Sequence, residues 1–166
     1  NEPVEMLIAA DRNQVFFHLE NIDLVSQLVE GSFPDFHQVI PTSRNTRLTL
    51  NTADFLKAVR MAAIFARDVA NLIKLQAVPS GEGGMGRLII SATSAEIGDS
   101  VSELEATIEG QPIEAAFNAR YFTDALSVID TAQVTLDTRD ANSPGVLRPV
   151  GGGDFVHVIM PMHISR

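Results

Sequence analysis

With 166 residues, 45% of them hydrophobic and 20% charged, the chain can bury one full core and part of a second. Its net charge of -9 argues against gripping nucleic acid by bulk electrostatics, so any DNA contact must be local or loose. No apolar run approaches the roughly 20 residues of a membrane span, and the absence of cysteine excludes disulfides, thiolate zinc sites and thiol nucleophiles. A reducing cytoplasm is the expected compartment. The opening Asn1-Glu2-Pro3-Val4, without Met, reads as the start of an excerpt from a longer protein.

The strand-like run Met6-Leu7-Ile8-Ala9-Ala10 passes through the polar turn Asp11-Arg12-Asn13 into a second strand over residues 13–18. A further β-branched and leucine-rich run covers residues 24–30 and is closed by Gly31. Pro34, Pro41 and the polar stretch Thr42-Ser43-Arg44-Asn45 mark a connector, because each proline removes a backbone donor and the polar stretch has no apolar face to bury. The domain boundary is expected near residues 41–46.

Beyond it the chain repeats itself. Setting Asn51 against Asn118 superposes Leu50-Asn51-Thr52-Ala53-Asp54-Phe55 on Phe117-Asn118-Ala119-Arg120-Tyr121-Phe122. The match continues at helical spacing through Phe55 and Phe122, Ala58 and Ala125, Val59 and Leu126, and Ala62 and Ile129. Each asparagine stands where its side chain caps a first turn, after a short strand at residues 48–50 or 115–117. Each helix leads to a strand (72–78, 133–138), a turn (Gly81 to Gly86; Ser143-Pro144-Gly145) and another strand (87–92, 146–150). A last strand closes each half. The first, 101–108, alternates Leu104, Ala106 and Ile108 with Glu103, Glu105 and Thr107; the second, 155–160, is apolar on nearly both faces and is expected to need cover on both. The predicted class is α+β, a tandem of β-α-β-β-β half-repeats with two helices packed on antiparallel sheets.

Three stretches carry a family resemblance. They are Leu28-Val29-Glu30-Gly31-Ser32-Phe33-Pro34-Asp35-Phe36-His37-Gln38-Val39-Ile40-Pro41, with its Gly-x-Phe-Pro-Asp core, then Phe117-Asn118-Ala119-Arg120-Tyr121, and finally Val158-Ile159-Met160-Pro161-Met162. Together they resemble the bacterial DNA polymerase III β sliding clamp, the DNA-clamp fold, over essentially the whole chain. The resemblance implies that residues 1–41 are the tail of the family's second domain plus a linker, and residues 42–166 its third domain. It further implies a non-catalytic processivity factor, a homodimeric ring around duplex DNA with helices lining the hole.

On that resemblance Lys57, Arg60, Arg67 and Arg120 face DNA. Lys57 and Arg60 lie opposite the apolar stripe, where a solvated helix face accounts for them equally well. The family also holds short peptides from the replicative polymerase subunit, the clamp loader, repair polymerases and mismatch-repair proteins in an apolar pocket between domains. Carried over by position, that set is Pro34, Val39, Asn118, Tyr121, Pro144, Val158, Ile159, Met160, Pro161 and Met162. Methionines suit a surface that repacks around several ligands, although Met160 and Met162 also read as the end of a core strand. Gln38 and His163 stand where the family commonly has arginine, which bears on peptide preference. For the ring interface the resemblance points to Ile64, Phe65, Glu96, Asp99, Glu103 and Glu105; glutamates on an edge strand equally guard against aggregation.

No enzyme is expected, and no metal or cofactor. The four histidines (His18, His37, His157, His163) have no HExxH spacing, and the glycine clusters lack the Lys-Ser/Thr of a phosphate loop. Asp137, Asp140 and Asp154 have no defensible partner spacing for a carboxylate site. The alternative reading is a stand-alone peptide-binding module without a DNA function, which leaves Lys57 and Arg60 without a purpose.

Overall fold

The computed structural model describes residues 3–9, 13–80 and 84–163. Part of the Asp11-Arg12-Asn13 turn, the end of the first predicted strand at Ala10 and the start of the Gly81 to Gly86 turn lie outside the described residues. The chain divides into two compact units, Asn1–Phe36 and His37–Arg166.

The first unit is an antiparallel meander of β1 (Glu5–Ile8), β2 (Gln14–Leu19) and β3 (Ile22–Gln27). The third strand stops earlier than residues 24–30 suggest: its ladder with β2 ends at Gln14↔Gln27, and one further backbone bond follows, from the Leu28 N–H to the Asn13 carbonyl at 2.8 Å. His18 and Asp23 face each other in the ladder, and their 2.6 Å hydrogen bond raises the His18 pKa. A 3-10 helix, Phe36–Val39, follows.

In the second unit the half-repeats appear as β4 (Thr46–Asn51), α1 (Thr52–Ala66), β5 (Leu72–Pro79), β6 (Met85–Ser94), β7 (Gly98–Gly110) and then β8 (Ile113–Asn118), α2 (Ala119–Val128), β9 (Gln133–Thr138), β10 (Gly145–Pro149), β11 (His157–Ile159). The strands form one antiparallel sheet of eight, in the order β11-β10-β9-β4-β7-β6-β5-β8. Neither half supplies all of its own neighbours. The first strand of each half pairs with the strand that follows the helix of the other, β4 with β9 and β8 with β5. The two edges of the sheet meet where the Met162 N–H donates to the Ala116 carbonyl at 2.7 Å.

Local chemistry explains the helix starts. Asn51 accepts from the Asp54 N–H at 3.0 Å and Asn118 from the Arg120 N–H at 2.9 Å, each satisfying a first-turn donor that has no partner within its helix. Phe55, Ala58, Val59 and Ala62 are all buried on α1, as are Phe122, Ala125 and Leu126 on α2. The fourth position of the second stripe departs from the repeat. Ile129 has extended backbone just past the end of α2 and is only partly buried, because α2 has 10 residues against 15 in α1. The Phe55 and Phe122 rings stand 5.5 Å apart, and Phe117 meets Phe122 edge-on at 5.4 Å, so the repeat joins in an aromatic cluster. The close approach of Gly110 to the preceding connector admits no side chain there: at φ +108° a Cβ would run into the Asn45 carbonyl.

The last strand is shorter and more open than its composition suggests. β11 pairs with β10 only at Gly145↔Ile159, Val146↔Val158 and Leu147↔His157. Ile159 is buried, whereas Phe155 is 39% and Met160 59% exposed. An edge strand with one ladder partner receives cover on the helix side alone, so the expectation of cover on both faces is corrected.

Two outcomes are expected. Phe122→Ala should lower the unfolding free energy by about 3–5 kcal/mol in urea titrations, while Tyr121→Ala, one residue away but exposed, should change it by less than about 0.5 kcal/mol. Burial pushes the His157 imidazole below its ordinary value of 6.5, with the Asp124 carboxylate offsetting only part of the effect. The unfolded chain then binds that proton more readily, so the stability contributed by neutral His157 is full above pH 6.5 and is lost as the pH falls through that value toward the folded one. The His157 ring resonances should titrate below 6.5. Protection of the β11 amides, corrected for the intrinsic exchange rate at each pH, should fall on acidification through 6.5 in the wild type and lose that dependence in His157→Gln.

Candidate interaction surfaces

The antiparallel packing of α1 and α2 brings the carboxyl end of the first helix to the amino end of the second. Ala70 and Asn71 turn the chain there with φ of 51° and 56°, and the Asn71 carbonyl accepts from the Ala119 N–H at 2.8 Å. Arg60, Arg67 and Arg120, one from each of three successive positions along this seam, border a single groove of about 330 Å³ between the helices, together with Ile64, Thr123 and Asp124. Arg60 donates to the Ser127 hydroxyl at 3.1 Å, and Arg120 lies 4.0 Å from Asp124. Lys57 is exposed on α1 but does not line this groove. Three of the four predicted DNA-facing residues therefore share one surface.

The predicted peptide-binding residues divide by face. Carrying the β10–β11 register one step beyond Gly145↔Ile159 sets Pro144 opposite Met160. Val158 and Met160 point to the side of the sheet away from the core, whereas Ile159 is in the core itself. Pro161 and Met162 are half-buried where the tail reaches Ala116, two residues before Asn118. Asn118 is occupied by the fold: its oxygen caps α2 and its Nδ2 donates to the Ala70 carbonyl at 3.3 Å. Tyr121 is 55% exposed at the start of α2. Val39 is exposed on the 3-10 helix, and Pro34 is exposed in the first unit.

The acidic set lies on the hairpin of β6 and β7. Glu96, Asp99, Glu103 and Glu105 are all exposed, and Glu103 pairs with Arg87 at 3.5 Å. β7 pairs with β6 along its length but with β4 only at residues 107–110, so residues 98–106 have a single ladder partner. That stretch is an open edge, and beyond the point of divergence a groove of about 480 Å³ opens between β4 and β7. Ile64 lies in the helix groove and Phe65 packs partly buried against the core.

One constellation was not anticipated from the sequence. Asp137, only 6% exposed, is held by Arg47 through Nε at 2.6 Å and Nη2 at 2.7 Å and by Arg148 at 3.2 Å. Asp137 is thereby a structural ion-pair partner across β4, β9 and β10. The signal was present as Asp137 and Arg148 on two predicted strands and Arg47 just before a third, but only the strand order makes them neighbours. Among the described residues no group of three or more His, Cys, Asp or Glu side chains is placed to hold a metal ion, and no helix is long and apolar enough to cross a membrane.

Residues 37–163 match the family described as DNA polymerase III beta subunit, C-terminal domain. The chain is 31% identical to the beta sliding clamp of Staphylococcus aureus over 163 residues, which is 97% of this chain and 41% of that protein. A solved DNA polymerase sliding clamp from Bacillus subtilis superposes with a TM-score of 0.78 at 31% identity, covering 98% of this chain and 41% of the other. The DNA polymerase III subunit beta of Pseudomonas aeruginosa gives a TM-score of 0.79 at 26% identity, with 97% and 42% covered. The chain thus spans about two-fifths of the length of these relatives. Sharing their fold and matching their profile over most of its length, it belongs to the DNA polymerase III beta subunit family, through that family's C-terminal domain.

Proposed function

We propose that the chain is part of a ring-shaped processivity factor that encircles duplex DNA and tethers a replicative polymerase to it, without chemistry of its own. In this reading residues 1–41 are the tail of the second clamp domain plus a linker and residues 42–166 are the third domain. The observation that carries it is the groove between α1 and α2, where Arg60, Arg67 and Arg120 gather on a chain of net charge -9. A few guanidinium groups on a helix face attract a phosphate backbone without reading bases, and their low density favours sliding over gripping. Lys57 extends the same helix face.

The open edge of β7 suits closure of the ring by a second copy, since unpaired backbone groups accept a further strand and the flanking Glu96, Asp99, Glu103 and Glu105 favour a basic counterpart. Ile64 and Phe65 would add apolar contact at the end of α1. For partner peptides the surface within the second unit is that of Tyr121, Val158, Met160, Pro161 and Met162 with Pro144 beside it, Val39 and Asn118 belong to the proposed set, and Ile159 supports it from the core. Peptides of the polymerase, the clamp loader, repair polymerases and mismatch-repair proteins would compete there, in the cytoplasm.

An intact protein of the relatives' length carrying this chain should stay on nicked circular DNA at high salt and leave when the circle is cut. Salt-sensitive binding that ignores linearisation would instead favour a stand-alone peptide-binding module. Replacing Arg60, Arg67 and Arg120 by alanine should reduce the salt dependence of duplex binding by roughly one unit of log–log slope per residue. Met160→Ala and Tyr121→Ala should each weaken binding of a labelled polymerase-subunit peptide by about 1–2 kcal/mol in fluorescence anisotropy, with thermal stability unchanged.

A further inference from the structure

Arg47 and Asp137 face each other across β4 and β9, Asp137 faces Val146 across β10, and Val146 faces Val158 across β11. Directly opposed residues in an antiparallel sheet point to the same face. Leu48, Leu136, Leu147 and Ile159, which alternate with this row, all belong to the core beneath the helices. The row Val158, Val146, Asp137, Arg47 therefore runs over the side of the sheet turned away from α1 and α2. It leads from the proposed peptide surface into a groove of about 230 Å³ bordered by Arg44, Arg47, Arg148, Thr42 and Pro144.

That groove carries more positive charge than the fold consumes. Arg47 already meets both oxygens of Asp137, yet Arg148 also reaches it at 3.2 Å and Arg44 lies 3.9 Å away. Three guanidinium groups stand against two carboxylates, Asp137 and Glu109, and Glu109 is 62% exposed at 3.6 Å from Arg44. The side chains of Arg44 and Arg148 line the groove and remain 45% and 38% exposed. A planar guanidinium at a half-screened site is suited to a carboxylate. DNA threaded past the helices would lie on the other side of the sheet, so duplex phosphate is not the ligand that this placement favours.

We propose that the Arg44–Arg148 groove is an accessory anion subsite that takes an aspartate or glutamate side chain flanking the apolar core of a docked partner peptide. The subsite rests on the peptide-binding reading of Val158, Met160 and Pro144. Pro144 is the hinge between them, opposite Met160 by register and on the rim of the groove. Arg47 and Asp137 are positioning residues that hold Arg148 over the sheet.

The test uses the labelled polymerase-subunit peptide extended at either end by Asp-Asp or by Asn-Asn. On the wild-type chain at low salt the better of the two acidic peptides should bind about 5–10-fold more tightly than its amide counterpart, the range of one well-formed charge-assisted contact, and the gap should close at high salt. In Arg44→Gln/Arg148→Gln the gap should shrink to less than about twofold while the amide peptides bind as before; Arg148→Lys should recover part of it. Arg44→Gln alone, which leaves every contact of Asp137 shorter than 3.5 Å in place, keeps the test valid should the double variant fold poorly, and should by itself reduce the gap. Equal binding of Asp and Asn peptides to the wild type overturns the subsite, as does a gap that survives both substitutions or competition by a duplex oligonucleotide for the acidic peptide alone. Loss of the peptide surface itself reads differently: Met160→Ala and Tyr121→Ala would then leave binding of both peptides unaltered, and both readings fall together.

Discussion

Exchange of strands between two half-repeats is the constraint on which the second unit depends. Because β4 pairs with β9 and β8 with β5, neither half-repeat has a complete set of backbone partners until the other is present. Buried N–H and C=O groups without partners are costly, so the two halves must form together or not at all. The same exchange draws α1 and α2 side by side and sets Phe55 against Phe122, converting two amphipathic helices, each with one apolar stripe, into a single core. The groove between the helices and the rows of side chains on the outer face of the sheet are both consequences of that pairing.

Charge is distributed by face. The net balance is strongly acidic, yet arginines collect in two places: along the seam of the helices and over β4, β9 and β10 on the far side of the sheet. The first collection has few ion-pair partners and suits a backbone of phosphates at low affinity. The second is organised around a nearly buried carboxylate, where desolvation makes pairing obligatory and bidentate geometry from Arg47 meets that demand. Acidic side chains dominate the open edge of β7, where like charge opposes indiscriminate strand addition. The second unit thus offers three electrostatic environments, on the helices, on the outer face of the sheet and along one of its open edges.

Much of the fold was legible in the chain because it rests on local chemistry. Asn51 and Asn118 announce helix starts, the period of Phe55, Ala58, Val59 and Ala62 names the buried face of α1, and Leu104, Ala106 and Ile108 name the inner face of β7. Where the reading departed from the structure, the cause was pairing. β3 leaves its ladder at Gln27 with one further bond from Leu28 to Asn13, β11 is cut to three residues at the sheet edge, and Ile129 falls beyond a helix shorter than its counterpart. None of these lengths is encoded in the element's own residues; each is set by the neighbour.

For the surfaces the division is similar. The family resemblance, carried over by position, singled out Met160, Pro161, Met162, Tyr121 and the arginines of the helices, whereas the residues by themselves read equally as the end of a core strand and a solvated helix face. It did not reveal that Asn118 spends both polar ends on the fold, that Ile64 sits among the arginines, or that Asp137 is a pinned ion pair. The sequence by itself determined the repeat, the caps, the faces of each element and the family, because these depend on spacings of a few residues. Tertiary structure alone decided which strands become neighbours, and hence that Arg47, Asp137 and Arg148 meet although 101 positions separate the first from the last. Contacts across a sheet follow from hydrogen-bond register between distant segments, and no local pattern carries that information.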